Sequence, residues 1–146
     1  MPKSYDLDCP VARSLDVIGD RWTLLVVREL MLGRTRYSEL ANALGSIPPN
    51  LLSERLRFLE DEGIIARLTP RGYALTEKGR DLAPVLGGLA AWGMKYTSGD
   101  PSAHALHAGC GGHVRAGWEC TDCGAEVRPT DLELVEPPSR VPSAPT

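Results

Sequence analysis

SIPPNLLSERLRFLEDEGII, residues 46–65, is the stretch on which the reading of the chain turns. Pro49 stands where a first helical residue belongs, because its missing N–H is one that a helix start leaves unpaired anyway. Gly63 can take the left-handed conformation that ends a helix, so the stretch predicts one helix over residues 49–62, about 14 residues long. On the α-helical period Leu52, Leu56 and Leu59 share one stripe, while Pro49, Asn50, Ser53 and Arg57 share another roughly a third of a turn away. The leucine stripe is expected to dock and the polar stripe to face out. Asn, Ser and Arg near the N-terminus of an exposed helix offer hydrogen bonds in a geometry that a major groove accepts. An ordinary solvated face is the alternative reading of the same residues.

With 146 residues, 42% of them hydrophobic, the chain can bury one main core and a small satellite that needs a staple. No apolar run approaches the roughly 18 residues of a membrane span, and MPKSYDLDCP lacks the pattern of a signal peptide, so a cytoplasmic protein with no membrane partner is expected. In that compartment the four cysteines are read as thiols, metal ligands or redox sensors and not as a disulfide framework. The formal charge of −3 hides a division. Residues 1–99 carry 13 Lys and Arg against 12 Asp and Glu, net +1; residues 100–146 carry 3 against 7, net −4. Arg34, Arg36, Arg57, Arg67 and Arg71 bracket the 49–62 helix, and such a local cluster matters more for phosphate binding than total charge does.

Upstream, VARSLDVIG places Val11, Leu15 and Ile18 at helical spacing after Cys9 and Pro10, with Gly19 as a stop. Asp20 is a suitable N-cap for RWTLLVVRELML, whose apolar residues cover nearly the whole circumference and mark a central strut anchored by Trp22. A small helix follows in GRTRYSELANALG, capped by Ser38 or a neighbour, with Leu40 and Leu44 inward. Gly45 to Pro48 then turn the chain into residues 49–62, which is a helix-turn-helix pattern. The run IIARLTPRGYALT alternates about Pro70, Arg71 and Gly72 and reads as a β-hairpin, a wing whose Arg67 and Arg71 either reach phosphates or a minor groove or are simply solvated. Thr76 caps a long helix, kinked at Pro84, whose Leu82, Val85, Leu86, Leu89 and Trp92 exceed what one wing covers. Pairing with a second copy is its natural use, and burial within the same chain the alternative.

The segments CPVARSLDVIGDRWTLLVVREL, RYSEL, LLSERLRFLEDEGII and YALTEKGRDLAPVLGGLAAWG, in that order, resemble the HxlR-type branch of winged helix-turn-helix transcription regulators over residues 5–98. The resemblance implies a homodimeric bacterial regulator of a nearby promoter, with residues 49–62 in the major groove of double-stranded DNA and the hairpin as wing. It also implies two readings for Cys9. In some similar regulators the Cys of this CP motif senses electrophiles or oxidants, so the effector would be a small molecule or an oxidant acting on a thiol at a helix N-terminus; a small residue packed against the last helix is the other reading. Three features depart from the family pattern. Pro48 replaces a capping Ser or Thr, the wing loop is short, and a cysteine-bearing module follows the last helix.

That module begins after a linker, residues 99–103, and spans residues 104–136; residues 137–146, rich in Pro and Ser, read as disordered. HAGCG, residues 107–111, and CTDCG, residues 120–124, each put two ligand types three residues apart with Gly directly after the second. Two such turns supply His107, Cys110, Cys120 and Cys123 to one structural zinc per chain, with His113 as the competing fourth ligand. The expected architecture is therefore mainly α within an α+β class: a winged helix-turn-helix with a long C-terminal dimerisation helix, then a small β zinc-ribbon-like module. No Gly-rich phosphate loop, nucleophile elbow or HExxH pair is present, and a Cys-rich tetrahedral site is closed to substrate, so an enzyme is not expected. A zinc-ribbon adaptor that binds another protein on a winged-helix scaffold is the second reading.

Overall fold

A computed structural model describes residues 4–100 and 105–136. Residues 101–103 of the expected linker 99–103, residue 104 of the expected module and the tail 137–146, read above as disordered, lie outside the described residues.

Helix α1, Pro10–Ile18, opens with Cys9 as an extended N-cap and Pro10 at its first position. It closes where the Gly19 N–H reaches the Leu15 carbonyl at 2.8 Å. Helix α2 runs Thr23–Met31 and starts later than expected, with Trp22 as N-cap in place of Asp20. The Asp20 carboxylate instead accepts the Trp22 N–H at 3.1 Å and its carbonyl accepts the Thr23 N–H at 3.3 Å, forming a tight turn ahead of the helix. Trp22 itself is half-buried and packs against the core.

Helix α3, Tyr37–Leu44, is capped by neither Ser38 nor another hydroxyl. Glu39, in its first turn, reaches back to accept the N–H groups of Thr35 and Arg36, both at 2.9 Å. Helix α4, Pro49–Asp61, follows with Pro48 as N-cap and Gly63 at φ +71° just past its end. Strands β1, Ile65–Arg67, and β2, Tyr73–Leu75, pair antiparallel with Ile65 opposite Leu75 and Arg67 opposite Tyr73.

The expected kinked helix is two helices, α5 Glu77–Arg80 and α6 Ala83–Tyr96. Pro84 has no N–H for the Arg80 carbonyl and its ring crowds that oxygen, so the first helix stops at Arg80 and the second begins afresh. The Leu82 N–H turns back to the Gly79 carbonyl at 3.2 Å between them. Thr76 caps α5 as expected, accepting the Gly79 N–H at 3.2 Å while donating to the Gly63 carbonyl at 2.6 Å.

The core gathers Val26, Val27, Leu40, Leu52, Leu56, Leu59, Ile64 and Ile65, all essentially removed from water. It contains one charge that sequence patterning did not single out. Glu29, 2% exposed, pairs with Arg28 and, at 2.7 Å, with Arg34, which offset the cost of burying its carboxylate. Beyond α6, β3 Ala105–Leu106 pairs with β4 His113–Val114, and β5 Trp118–Glu119 pairs with β6 Glu126–Val127, each antiparallel. These are the small hairpins expected of the C-terminal module. No helix among the described residues is long and apolar enough to cross a membrane.

The close approach of α5 to the strand entry depends on Gly79, where a Cβ would fall 2.2 Å from the Ile64 carbonyl oxygen and 2.9 Å from Leu75 Cδ2. Gly79→Ala should therefore lower unfolding free energy by about 1–3 kcal/mol, the usual cost of overpacking. Chemical denaturation measures it, and an unchanged midpoint contradicts this packing.

Candidate nucleic-acid interface

The rotation of α4 follows from its leucines. With Leu52, Leu56 and Leu59 buried, Pro49, Asn50, Ser53 and Arg57 are all left exposed on the other stripe. The helix start is fixed from two sides. Pro48 is extended at φ −60°, ψ 138° and its carbonyl accepts the Leu52 N–H at 3.0 Å. The Tyr37 hydroxyl donates to the Pro49 carbonyl at 2.9 Å, tying the first residue of α3 to the first residue of α4. Arg55 flanks the leucine stripe on the side away from the polar one, 3.5 Å from the Asp20 carboxylate and over the Phe58 ring.

The wing is fastened to the turn before α3. Tyr73 N–H donates to the Thr35 carbonyl at 2.7 Å, and Gly72, at φ +107°, lies so near that a Cβ there would come within 2.9 Å of the same oxygen. This contact carries Arg36, at the N-cap of α3, and Arg71, in the wing turn, as exposed cations flanking α4. None of the ion pairs among the described residues takes Arg36, Arg57 or Arg71. The other two arginines of the sequence cluster are engaged within the protein. Arg34 is held by Glu29. Arg67 bonds Glu60 through Nε at 3.1 Å and lies 5.6 Å from the Tyr73 ring centroid, and the Glu60 carboxylate raises its pKa further. The resulting surface can attract phosphate at three exposed guanidinium groups, one of them, Arg57, within the polar stripe itself.

Cys9 is half-buried at the α1 N-cap, where its carbonyl accepts the Arg13 N–H at 3.0 Å. In the C-terminal hairpins His107 Nδ1 lies 3.3 Å from Cys110 Sγ. Cys120 is set beside Cys123: the backbone N–H groups of Cys123 and Asp122, then the Cys123 thiol, hold the Cys120 thiol below its ordinary pKa. His113 sits in β4 opposite Leu106. The structure thus forms the two pairs but does not gather them, since no group of three or more His, Cys, Asp or Glu among the described residues is placed to share a metal ion.

A helix-turn-helix with a tethered wing and an exposed polar stripe at the start of its second helix defines a DNA-binding regulator of the winged helix class. The chain belongs to the HxlR-like helix-turn-helix family, whose pattern matches residues 17–101. It is 39% identical over 125 residues to the uncharacterized HTH-type transcriptional regulator Rv3095 of Mycobacterium tuberculosis, covering 80% of this chain and 78% of that one. The crystal structure of PA1607 superposes with a TM-score of 0.74 at 34% identity over 90% of this chain and 97% of that one. The quinone-bound structure of YodB from Bacillus subtilis gives 0.54 at 35% identity over 60% of this chain and 99% of that one. The protein is a transcriptional regulator of this type.

The α3 entry makes a pH-dependent contribution to the interface. The Arg36 N–H, then the Thr35 N–H, hold the Glu39 carboxyl below its ordinary pKa of 4.5. A lowered folded pKa means stability that is fully present above the unfolded value and lost as pH falls through the folded one. Glu39→Gln should be less stable than wild type at neutral pH, with the difference shrinking on acidification. A difference independent of pH, by denaturation at several pH values, contradicts the bond.

Proposed function

We propose that the protein acts as a homodimer that binds a specific double-stranded DNA site at a promoter, with α4 in the major groove and the wing against neighbouring phosphates. The observation that carries this reading is the exposed Asn50, Ser53 and Arg57 stripe at the start of α4, flanked by Arg36 and Arg71, which take part in none of the ion pairs among the described residues. Asn50 and Ser53 read base edges, Pro49 sets the helix at the groove, Arg57 contacts a base or phosphate, and Arg36 and Arg71 contact phosphates. Arg67, already held by Glu60, acts at most as a secondary phosphate contact.

Helix α6 supplies the dimer face in this reading. It has no buried residue within the chain, and Val85, Leu89, Trp92 and Tyr96 are left exposed, Trp92 at 61%. An apolar surface of that kind on a terminal helix favours a second copy, and a two-fold pair sets two recognition helices on successive turns of DNA. An electrophilic or oxidising effector acting at Cys9 is supported by its place at the α1 N-cap and by the likeness to YodB, which has a quinone-bound structure. The exposed Leu106, Val114 and Trp118 of the hairpins favour, as a second reading, an adaptor role for the C-terminal module toward another protein.

Titration of a labelled operator at several salt concentrations tests the DNA reading. Arg57→Ala should weaken specific binding, whereas Arg36→Ala and Arg71→Ala should each reduce the slope of log K against log salt by about one. Arg67→Ala should change the slope less than either. Slopes and affinities unchanged by the first three substitutions contradict the proposal.

A further inference from the structure

The C-terminal hairpins, outside the residues the family pattern matches, repeat one another at a spacing of 13 residues in strand pairing, turn hydrogen bonds and glycine conformation. Ala105 pairs with Val114 and Trp118 with Val127; Leu106 pairs with His113 and Glu119 with Glu126. The His107 N–H donates to the Gly112 carbonyl at 2.8 Å, and the Cys120 N–H to the Ala125 carbonyl at 2.9 Å. The Gly111 N–H returns to the His107 carbonyl at 2.7 Å, and the Gly124 N–H to the Cys120 carbonyl at 2.8 Å. Gly111 and Gly124 adopt φ of +73° and +72°. A left-handed residue directly after the second ligand type folds the backbone round so that the two side chains of each turn project together.

We propose that these two turns bind one zinc ion per chain through His107 Nδ1, Cys110, Cys120 and Cys123, as a closed structural site. The 3.3 Å between His107 Nδ1 and Cys110 Sγ is close to the separation of about 3.6 Å that a nitrogen and a sulfur ligand have on tetrahedral zinc. Cys120 and Cys123 occupy the matching positions on the second turn, which the Cys120 N–H closes on the Ala125 carbonyl at 2.9 Å and the Gly124 N–H on the Cys120 carbonyl at 2.8 Å. The two pairs are not gathered on a common point in the structure, so binding draws the tips together. The connection permits it: only Arg115, Ala116 and Gly117 separate β4 from β5, and an Arg115–Glu126 ion pair of 2.7 Å already couples the hairpins.

The repeat also decides the fourth ligand. His113 corresponds to Glu126, a strand residue of the second hairpin, while His107 corresponds to Cys120. The need for a metal follows from size. The strands are two residues long and none of residues 105–136 is buried, so no hydrophobic core holds the module and a staple of another kind must.

Zinc content of the full-length protein, purified reduced and without chelator, tests the site, together with the visible spectrum after replacement by cobalt(II). About one zinc per chain and the intense absorption of a tetrahedral cobalt thiolate are expected. Both should be lost in His107→Ala and in Cys120→Ser, and both kept in His113→Ala. Unchanged DNA retention by the variants would establish that the winged helix remains folded, and zinc content reads the site directly whether or not it does. Zinc near zero with no cobalt spectrum in the reduced wild type overturns the proposal. Loss in His113→Ala but not in His107→Ala overturns the ligand set, and one zinc per two chains overturns closure within a chain.

Discussion

The docking of three leucines fixes everything that α4 can present. Leu52, Leu56 and Leu59 occupy one side of the helix and all three are buried, so the rotation about the helix axis has a single solution. Any turn that exposed Asn50 or Ser53 less would bring a leucine into water, at about 1.5–3 kcal/mol for each one uncovered. The remaining contacts hold the ends of that helix. Tyr37 ties its start to α3, and Thr76 ties the turn after Gly63 to α5. The interface is thus a by-product of core packing, which is why a surface of polar side chains can be rigid.

Charge is distributed by the same fold. The chain is acidic as a whole, and α4 itself exposes Glu54 and Asp61 beside its polar stripe. Glu29 and Glu60 take Arg34 and Arg67, and Glu39 satisfies backbone donors at the start of α3. Those carboxylates are spent on internal partners, while Arg36, Arg57 and Arg71 stay exposed. Net charge therefore says little about this surface, and the pairing of each cation says a good deal.

Much of this was legible in the sequence because it rests on local rules. The helix of residues 49–62 ended one residue early, its two stripes lie as the periodicity requires, and the hairpin turned at Pro70 to Gly72. What escaped depends on contacts between distant residues. A Glu in an apolar run gives no sign that two arginines will reach it from the surface while its own carboxylate is buried, as happens at Glu29. Arg67 looked equivalent to Arg71 until β1 brought it beside Glu60, seven residues earlier in the chain. The break between α5 and α6 was foreseeable in kind, since Pro84 was marked, but whether proline bends a helix or ends it depends on whether the preceding turn has another anchor. Thr76 and Gly79 provide one.

The central claim is that the exposed start of α4 reads base edges, and the sequences it selects test that most directly. Full-length protein and its Asn50→Ala and Ser53→Ala variants would each be used to enrich bound fragments from random DNA, and the preferred sequences compared. Wild type should enrich two inverted half-sites whose centres lie about one helical turn, or a multiple of it, apart. Each variant should lose preference at one or two positions within both half-sites while keeping their spacing. Identical preferences in all three proteins, or no enriched sequence at all, would contradict the account.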